Sequence, residues 1–173
     1  MRKTNKLTHE RLIEVLDYEP KTGVFSWRHN VGRFGRIPAG SQAGALNHEG
    51  YRYITIDGAI YRASRLAVFF MKGEWPKHQV DHKNRDTGDD SWENLREATQ
   101  SQNKRNSGIY KNNTTGYKCV TFDKDRGKYT VRLKIDGVYK RLGRFDTAEE
   151  AYAAYLSRIN DLHGEFANTG GIH

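Results

Sequence analysis

One stretch of the chain, residues 128–135, alternates without interruption between apolar and polar side chains. The apolar members are Tyr129, Val131, Leu133 and Ile135. The polar members are Lys128, Thr130, Arg132 and Lys134. Because successive residues of a strand point to opposite faces, one face must pack on other apolar groups while the other stays wet and cationic. The alternation therefore predicts a sheet with a packed face and an exposed basic face.

The neighbouring residues predict the other strands of this sheet and a helix that covers it. Residues 117–122 and 138–145 are interpreted as strands, joined to the middle one by turns at residues 123–127 and at Asp136-Gly137. A capping box of Thr147 and Glu150 begins a helix that Gly164 can end. Its apolar residues recur at helical spacing: Ala148, Ala151, Tyr152, Tyr155, Ile159 and Leu162. This pattern predicts a three-stranded antiparallel sheet packed on one α-helix.

Composition favours several small cores and an anionic partner. Only 36% of the 173 residues are hydrophobic, so a single large core is not expected. A net charge of +8 and a pI near 9.6 favour nucleic acid, with an acidic membrane surface as the alternative. The longest apolar run, residues 66–70, is too short for a membrane span, and no signal segment opens the sequence. The single cysteine, Cys119, excludes an internal disulfide and a Cys-based zinc site, which fits a cytoplasmic protein.

The first half of the chain predicts short elements around a glycine-rich segment. Thr8 can cap a helix from about His9 to Leu16, and a turn over residues 18–23 leads into a strand at residues 24–27. Residues 28–50 are basic and rich in glycine, which predicts a mobile loop with little secondary structure. Such a loop is either a surface loop without a binding role or a loop that contacts phosphate. The residues that could contact phosphate are Arg33 and Arg36.

A hairpin and a helix follow this loop. Residues 51–62 predict two strands joined at Asp57-Gly58, and residues 64–71 predict a short apolar helix closed by Gly73. Residues 79–82 predict a brief strand, residues 83–90 a polar loop, and Trp92 to about Lys104 a helical run. The order strand, turn, helix is expected to form a ββα unit.

The ββα segment carries side chains suited to phosphodiester hydrolysis. That reaction needs an activated water, neutralised phosphate charge and help for the leaving 3′ oxygen. The Asp81 carboxylate and the Asn103 amide offer the oxygen ligands that Mg²⁺ prefers, and His82 can take a proton from water near neutral pH. Asn94 is expected to tie the polar loop through side-chain to backbone hydrogen bonds.

The motifs VDH (residues 80–82) and ENL (residues 93–95), followed by Asn103, resemble the HNH endonucleases (His-Asn-His, or ββα-metal, nucleases), in particular the homing group of phages and introns. The resemblance covers roughly residues 51–106. Its third motif residue is asparagine, so the chain is of the His-Asn-Asn variety. Homing relatives often have His-Arg-Leu where this chain has Ser64-Arg65-Leu66, and it lacks the cysteines of a structural zinc knuckle.

The resemblance implies specific roles for these residues. His82 becomes the general base, Asp81 and Asn103 become ligands of one Mg²⁺ (or Mn²⁺) ion per site, and Asn94 becomes a structural asparagine. Phosphate contacts that position the duplex are expected from five basic residues: Arg85, Arg96, Lys104, Arg105 and Lys111.

The C-terminal part resembles the DNA-binding domain of plant Apetala/ethylene-response factors, from about Gly116 to Phe166. The most specific stretch is LGRFDTAEEAYAAY, residues 142–155. In that family the polar face of the sheet lies in the major groove, which a sheet can enter. The resemblance implies groove-facing positions at Lys118, Thr121, Arg132, Lys134, Tyr139 and Arg141. A solvated basic sheet face without a partner is the alternative.

Together these patterns predict an α+β protein with an N-terminal ββα-metal nuclease module and a C-terminal sheet-and-helix domain. The predicted boundaries are residues 1–50, 51–106 (nuclease), 107–116 (linker) and 117–173. The predicted function is a metal-dependent, homing-type DNA endonuclease of phage kind, acting on double-stranded DNA as a monomer or a DNA-induced dimer, in the host cytoplasm if phage-encoded. The competing hypotheses are a repressor-like DNA-binding protein on a decayed nuclease fold and, more weakly, an RNA-directed nuclease.

Overall fold

The computed structural model describes residues 7–110, 112–135, 138–163 and 166–167. The chain divides into two units, residues 1–100 and 101–173, each with its own hydrophobic core. Helices and antiparallel strands are mixed in the chain, which confirms the predicted α+β class. The predicted linker, residues 107–116, lies inside the second unit, and the domain boundaries drawn from the sequence stay a prediction.

The first unit begins with a capped helix and a hairpin. Helix α1 (His9–Val15) starts after Thr8, whose Oγ1 accepts a hydrogen bond from the Arg11 amide at 3.2 Å, as predicted. Strands β1 (Leu16–Glu19) and β2 (Val24–Trp27) pair antiparallel. The prediction of a turn from residue 18 missed β1, because its alternation of buried and exposed residues spans only four positions and begins where the helical pattern ends.

The segment at residues 28–50, predicted to be a mobile loop, is held by hydrogen bonds. The Trp27 amide donates to the Ser41 carbonyl at 3.0 Å, and the Ala43 amide donates to the Phe25 carbonyl at 2.7 Å. Ala43 is fully buried. The sequence pattern did not indicate this order, because backbone hydrogen bonds between distant glycine-rich residues leave no periodicity. The segment contains a single 3₁₀ turn, Arg33–Gly35, and the short strand β3 (Ala45–Leu46).

A three-stranded sheet and a helix complete the core of the first unit. Strand β4 (Arg52–Ile56) pairs with β3 and with β5 (Ala59–Arg62), and its turn at Asp57-Gly58 has φ values of 50° and 81°, as a two-residue hairpin requires. Helix α2 (Ala63–Lys72) follows, buries most of its first two turns and ends at Gly73 with φ 74°. The hairpin and the helix confirm the predicted elements.

The next segment departs from the predicted helical run. Strand β6 (Gln79–His82) pairs antiparallel with β7 (Leu95–Ala98), and helix α3 spans only Gln100–Asn106. The prediction of a helix from Trp92 was wrong. Leu95 and Ala98 are both buried, and a spacing of three is typical of a helix, because residues three apart lie on opposite faces of a strand. Pairing with β6 nevertheless makes this segment a strand.

The second unit matches its predicted architecture closely. Strands β8 (Val120–Asp123), β9 (Lys128–Ile135) and β10 (Val138–Phe145) form an antiparallel sheet with β9 in the middle, and helix α4 (Ala148–His163) follows. The capping box is present, because Oγ1 of Thr147 accepts from the Glu150 amide at 3.1 Å and a Glu150 carboxylate oxygen accepts from the Thr147 amide at 3.3 Å. The predicted turn at residues 136–137 and the helix end at Gly164 lie outside the described residues. The core of this unit includes Val131, Leu133, Ala151, Tyr155 and Ile159.

Candidate functional site

His82, the last residue of β6, forms a buried pair with Asp90. The His82 Nε2 and Asp90 Oδ1 atoms are 2.9 Å apart, and their side chains are only 4% and 3% exposed. Burial raises the pKa of the Asp90 carboxyl, and the hydrogen bond to His82 opposes that rise. An ionised Asp90 accepts a hydrogen bond from Nε2–H, which leaves the lone pair of the neutral imidazole on Nδ1. The pair orients His82 and, with Asp90 ionised, favours the Nε2-protonated tautomer.

Sequence analysis did not select Asp90, which lies at the end of the predicted polar loop. Its carboxylate is placed by residues of the β1–β2 hairpin, far away in sequence. The Tyr18 hydroxyl donates to the Asp90 backbone carbonyl at 2.7 Å, and the Trp92 amide donates to the Pro20 carbonyl at 2.8 Å. Gly23 lies so close that a Cβ atom there would be 2.3 Å from the Asp90 carbonyl carbon. The N-terminal hairpin therefore holds the segment that orients His82.

An aromatic and cationic group lies on the other side of His82. The ring centroids of Tyr51 and His82 are 5.9 Å apart, and the Arg62 guanidinium carbon lies 3.9 Å from the Tyr51 ring centroid. Arg62 also donates to the Tyr53 hydroxyl at 3.1 Å. A guanidinium over an aromatic ring is a stabilising arrangement that leaves its N–H groups available to anions. The sequence analysis did not select Arg62, because nothing in its local pattern distinguishes it from other surface arginines.

Asp81, the predicted metal ligand, has a different neighbour. It lies directly opposite Arg96 in the β6–β7 ladder, and the Arg96 Nε and Nη2 atoms both lie 2.9 Å from Asp81 Oδ2. The Asp81 and Arg96 side chains are 7% and 9% exposed. Arg96 was predicted to contact phosphate, and this prediction is corrected because its guanidinium is buried against Asp81. The prediction placed Arg96 on a helix, whereas Arg96 lies on a strand that pairs with β6 and so faces Asp81.

The donor set fits a hard divalent cation in its chemistry. Asp81 offers a carboxylate, and Asn103 offers an amide oxygen from α3, which belongs to the second unit. Their binding of one shared ion stays a prediction. No cluster of three or more His, Cys, Asp or Glu side chains with metal-binding geometry occurs among the residues that the structure describes.

Asn94 makes the hydrogen bonds that the sequence predicted. Its buried side chain accepts from the Asn84 amide at 2.9 Å through Oδ1 and donates to the Asp89 carbonyl at 2.7 Å through Nδ2. The Lys83 amide donates to the Asn94 carbonyl at 2.8 Å. These bonds tie the loop between β6 and β7. Asn94 itself lies in a 3₁₀ turn, Trp92–Asn94, and not in a helix.

Two comparisons with known proteins bear on this site. A model of the HNH endonuclease family matches residues 61–105, which include β6, the loop tied by Asn94, and β7. Protein 3.8 of Escherichia phage T7 is 30% identical over 111 residues, which cover 62% of this chain and 91% of that protein. The chain belongs to the HNH endonuclease family.

One solved structure also aligns with this HNH protein. The structure of the HNH homing endonuclease I-HmuI, described for its DNA binding and cleavage, aligns with 90% of this chain and with 88% of the I-HmuI chain, with 16% identity and a TM-score of 0.41.

At the position where homing relatives often carry histidine, the HNH protein has Ser64. This serine is fully buried, and its Oγ has no hydrogen-bond partner among the described residues. No helix in the described part of the chain is long and apolar enough to cross a membrane.

The second unit of the HNH protein presents the basic sheet face that the sequence predicted. Arg132 lies opposite Arg141, and Lys134 lies opposite Tyr139, whose ring centroid is 5.4 Å from the Lys134 ammonium. All four side chains are exposed. Thr121, also exposed, pairs through its hydroxyl with Thr130 on β9 at 3.0 Å. Opposed arginines repel each other, so this pair does not stabilise the sheet.

The other predicted DNA contacts are placed differently. Lys118 is buried, and its ammonium donates to the carbonyls of Arg105 at 2.7 Å and Ser107 at 2.5 Å. It therefore satisfies backbone carbonyls at the C-terminal end of α3 and does not face a groove, which corrects the predicted position. Arg85 is half-buried with φ 68° in the loop after β6, and on α3 Lys104 is exposed while Arg105 is half-buried. Lys111 lies outside the described residues.

Proposed function

We propose that this protein is a metal-dependent DNA endonuclease that hydrolyses phosphodiester bonds and leaves 5′-phosphate and 3′-hydroxyl ends. The buried His82–Asp90 pair at the end of β6 carries the proposal. A histidine whose Nε2 is held by a buried carboxylate is suited to proton transfer at its other nitrogen, which is the task of a general base in hydrolysis. Membership of the HNH family supports this reaction class.

His82 takes the proton of the attacking water at Nδ1. Asp90 keeps the Nε2 proton in place and stabilises the imidazolium that forms, because opposite charges attract strongly in a buried site. Asn94 fixes the loop that carries Asp90 at its end. Arg62, beside Tyr51, offers a cation to the scissile phosphate.

Asp81 and Asn103 would hold one Mg²⁺ or Mn²⁺ ion. When bound, that ion supplies neutralisation of charge on the phosphate and on the leaving 3′ oxygen. Arg96 fixes one oxygen of the Asp81 carboxylate by two N–H contacts, so the orientation of this ligand is set before any ion arrives.

Double-stranded DNA is the proposed substrate, and the second unit supplies site preference. Arg132, Lys134, Tyr139 and Arg141 form a contiguous exposed face that would enter a groove, and Arg85, Lys104 and Arg105 would contact phosphates. One catalytic histidine per chain makes nicking the natural product of a monomer. Cleavage of both strands needs a DNA-induced dimer or two successive nicks, as in a homing-type enzyme.

The test is cleavage of supercoiled plasmid in Mg²⁺ by the full chain, with EDTA as the metal control. His82→Ala is expected to reduce the rate roughly 10²- to 10⁴-fold, the usual contribution of a general base. His78→Ala is the matched control, because His78 is an exposed histidine of the same unit at the residue before β6. Equal cleavage by His82→Ala and wild type would overturn the assigned mechanism.

The buried Asp81–Arg96 pair favours a second candidate, a repressor-like DNA-binding protein that has lost cleavage. A guanidinium on the metal-binding carboxylate opposes the approach of a cation. This candidate predicts salt-sensitive DNA binding, no Mg²⁺-dependent cleavage and unchanged DNA binding in Asp81→Ala. Plasmid cleavage by the wild type that Asp81→Ala abolishes would exclude it.

A further inference from the structure

Phe34 is an apolar ring at an exposed and strained position. Its side chain is 83% exposed, and its backbone has φ 58° and ψ 29°, in the left-handed region. A bulky side chain rarely adopts this conformation, and an isolated exposed phenylalanine gains nothing from burial. The other described non-glycine residues with positive φ are Asp57, Arg85 and Cys119, none of them aromatic. Strain of this kind persists where the surrounding structure imposes it, often at a site of function.

The residues around Phe34 form a braced hairpin-like frame. Val31 and Ile37 exchange backbone hydrogen bonds of 2.8 and 3.0 Å on either side of the tip. The Asn30 side-chain oxygen accepts from the Ala39 amide at 2.9 Å. Closer to the base, the Gly40 amide donates to the Trp27 carbonyl at 2.7 Å. The frame therefore presents the ring at a defined place, at little further cost in conformational entropy on binding.

The charges beside the ring select an anionic partner. Arg33 and Arg36 flank Phe34 and are exposed, and the Arg33 guanidinium carbon lies 5.1 Å from the ring centroid. Within the described parts of the chain neither guanidinium is paired with a carboxylate. An apolar wedge between two cations matches a base step between two phosphates, whereas a hydrophobic protein groove offers no partner for the arginines.

We infer that Phe34 inserts between neighbouring base pairs of duplex DNA, with Arg33 and Arg36 on the adjacent phosphates. The insertion opens one stacked step and unwinds the helix locally, which makes the backbone near the step easier to deform. The inference rests on the proposed function in one respect, namely that duplex DNA is the substrate.

The experiment measures unwinding without cleavage and without knowledge of the target sequence. Closed circular plasmid is relaxed by a metal-independent type IB topoisomerase in EDTA, with the full-length protein at a concentration that saturates the plasmid in a gel-shift assay. Wild type is expected to lower the linking number per bound protein, because inserted side chains unwind the duplex. Phe34→Trp is expected to preserve this effect, since every aromatic face can stack on a base.

Phe34→Ala and Phe34→Gly are expected to abolish unwinding at saturation and to weaken binding roughly 5- to 100-fold. Glycine is the second variant because it tolerates the left-handed backbone and keeps the fold. Ile60→Ala is the matched control, since Ile60 is an apolar side chain of the same unit, 70% exposed on β5, and is expected to unwind as wild type does.

The outcomes separate this inference from the proposed function. Unwinding by Phe34→Ala equal to that of wild type, or binding by wild type without unwinding, overturns the insertion of Phe34 while leaving plasmid cleavage in Mg²⁺ as an independent result. A wild-type protein that does not bind plasmid at all overturns both.

Discussion

Among single residues, the buried carboxyl group of Asp90 is unfavourable for folding. Its buried carboxylate is desolvated, its Oδ2 has no hydrogen-bond partner among the described residues, and its pKa is raised by burial. Buried charged groups are normally paired with another polar group, and the partner of Asp90 is His82, whose Nε2 lies 2.9 Å from Asp90 Oδ1. The proposed role of His82 as general base gives a reason for keeping this buried carboxylate, because Asp90 orients the histidine.

Asp90→Asn tests that role. The amide cannot hold a proton on Nε2 as a carboxylate does, so the cleavage rate is expected to fall roughly 10²- to 10⁴-fold while the chain stays folded. Nitrogen NMR of His82 is expected to show that the Nε2-protonated tautomer is no longer the single form. Asp86→Asn, an exposed acid of the same loop, is the control. An unchanged tautomer with an unchanged rate would remove Asp90 from the mechanism.

Alanine substitutions at Gly23 and Gly40 can be compared to test whether the hairpin supports the backbone of Asp90. Both have left-handed φ values, +73° and +82°, but a Cβ at Gly23 would meet the backbone of Asp90 at 2.3 Å while nothing lies within 4 Å of Gly40. Gly40→Ala is expected to cost about 1–2 kcal/mol of unfolding free energy, from backbone strain alone. Gly23→Ala is expected to cost more, by roughly 1–3 kcal/mol for forced displacement of packed backbone. Urea unfolding measures both, and equal losses would show that the hairpin does not press on Asp90.

Among the elements, β7 contributes both to the core and to contacts between neighbouring elements. Its inward residues are buried, and its Arg96 and Glu97 side chains contact different elements. Arg96 holds Asp81 on β6, whereas Glu97 accepts from Lys72 at the end of α2 at 2.8 Å and from the Lys77 amide at 3.0 Å. The strand thereby links the hairpin that bears His82 to the helix behind it.

Glu97→Gln is expected to destabilise the protein in a pH-dependent way. The hydrogen bond from Lys72 lowers the pKa of the Glu97 carboxyl, so the folded state binds this proton less tightly than the unfolded state. The stabilisation of the folded state by the ionised Glu97 carboxylate is therefore fully present above the pKa of this group in the unfolded chain, about 4.3. It is lost as the pH falls through the pKa of the group in the folded state. The expected loss is about 0.5–1 kcal/mol at pH 7, with none in strong acid.

Denaturant unfolding of both proteins across this pH range is the measurement. Glu93→Gln is the control, because Glu93 is exposed and no salt bridge of its carboxylate occurs among the described residues. A pH-independent difference between wild type and Glu97→Gln would indicate that packing, and not charge, stabilises this contact.

For the whole molecule, the net charge of +8 brings exposed like charges close together. Arg132 and Arg141 are direct neighbours across β9 and β10 and are both exposed. Such a pair destabilises the free sheet slightly, and the proposed binding of DNA to this face would offset that cost.

Arg141→Ala is expected to weaken DNA binding and to reduce the slope of log affinity against log salt by up to about 1, because one cation is removed from the proposed groove-facing surface. The free protein is expected to become slightly more stable, since one like charge is removed. Fluorescence anisotropy with labelled duplex in EDTA, at several KCl concentrations, measures the slope. Lys140→Ala is the control, because Lys140 lies opposite Leu133 on the other side of the strand. Equal slopes for wild type and Arg141→Ala would remove this face from the DNA-binding surface.

Much of the fold could be predicted from local patterns in the sequence. The alternation of β9, the capping box at Thr147, the turn at Asp57-Gly58 and the cap at Thr8 are each decided within a few residues, and the structure has them all. The loop-tying hydrogen bonds of Asn94 were also predictable, because asparagine side chains bond to nearby backbone.

Tertiary structure decided what depends on residues distant in sequence. Residues 95–98 form a strand because β6 lies beside them, Arg96 is buried because strand register places it opposite Asp81, and Lys118 is buried because carbonyls at the C-terminal end of α3 lie within its reach. Asp90 orients His82 only because Tyr18, Pro20 and Gly23 hold its backbone in place. The sequence alone determined which residue types are present for the chemistry. Contacts between segments distant in sequence, which produce no periodic pattern in the sequence, determined which of these side chains lie together.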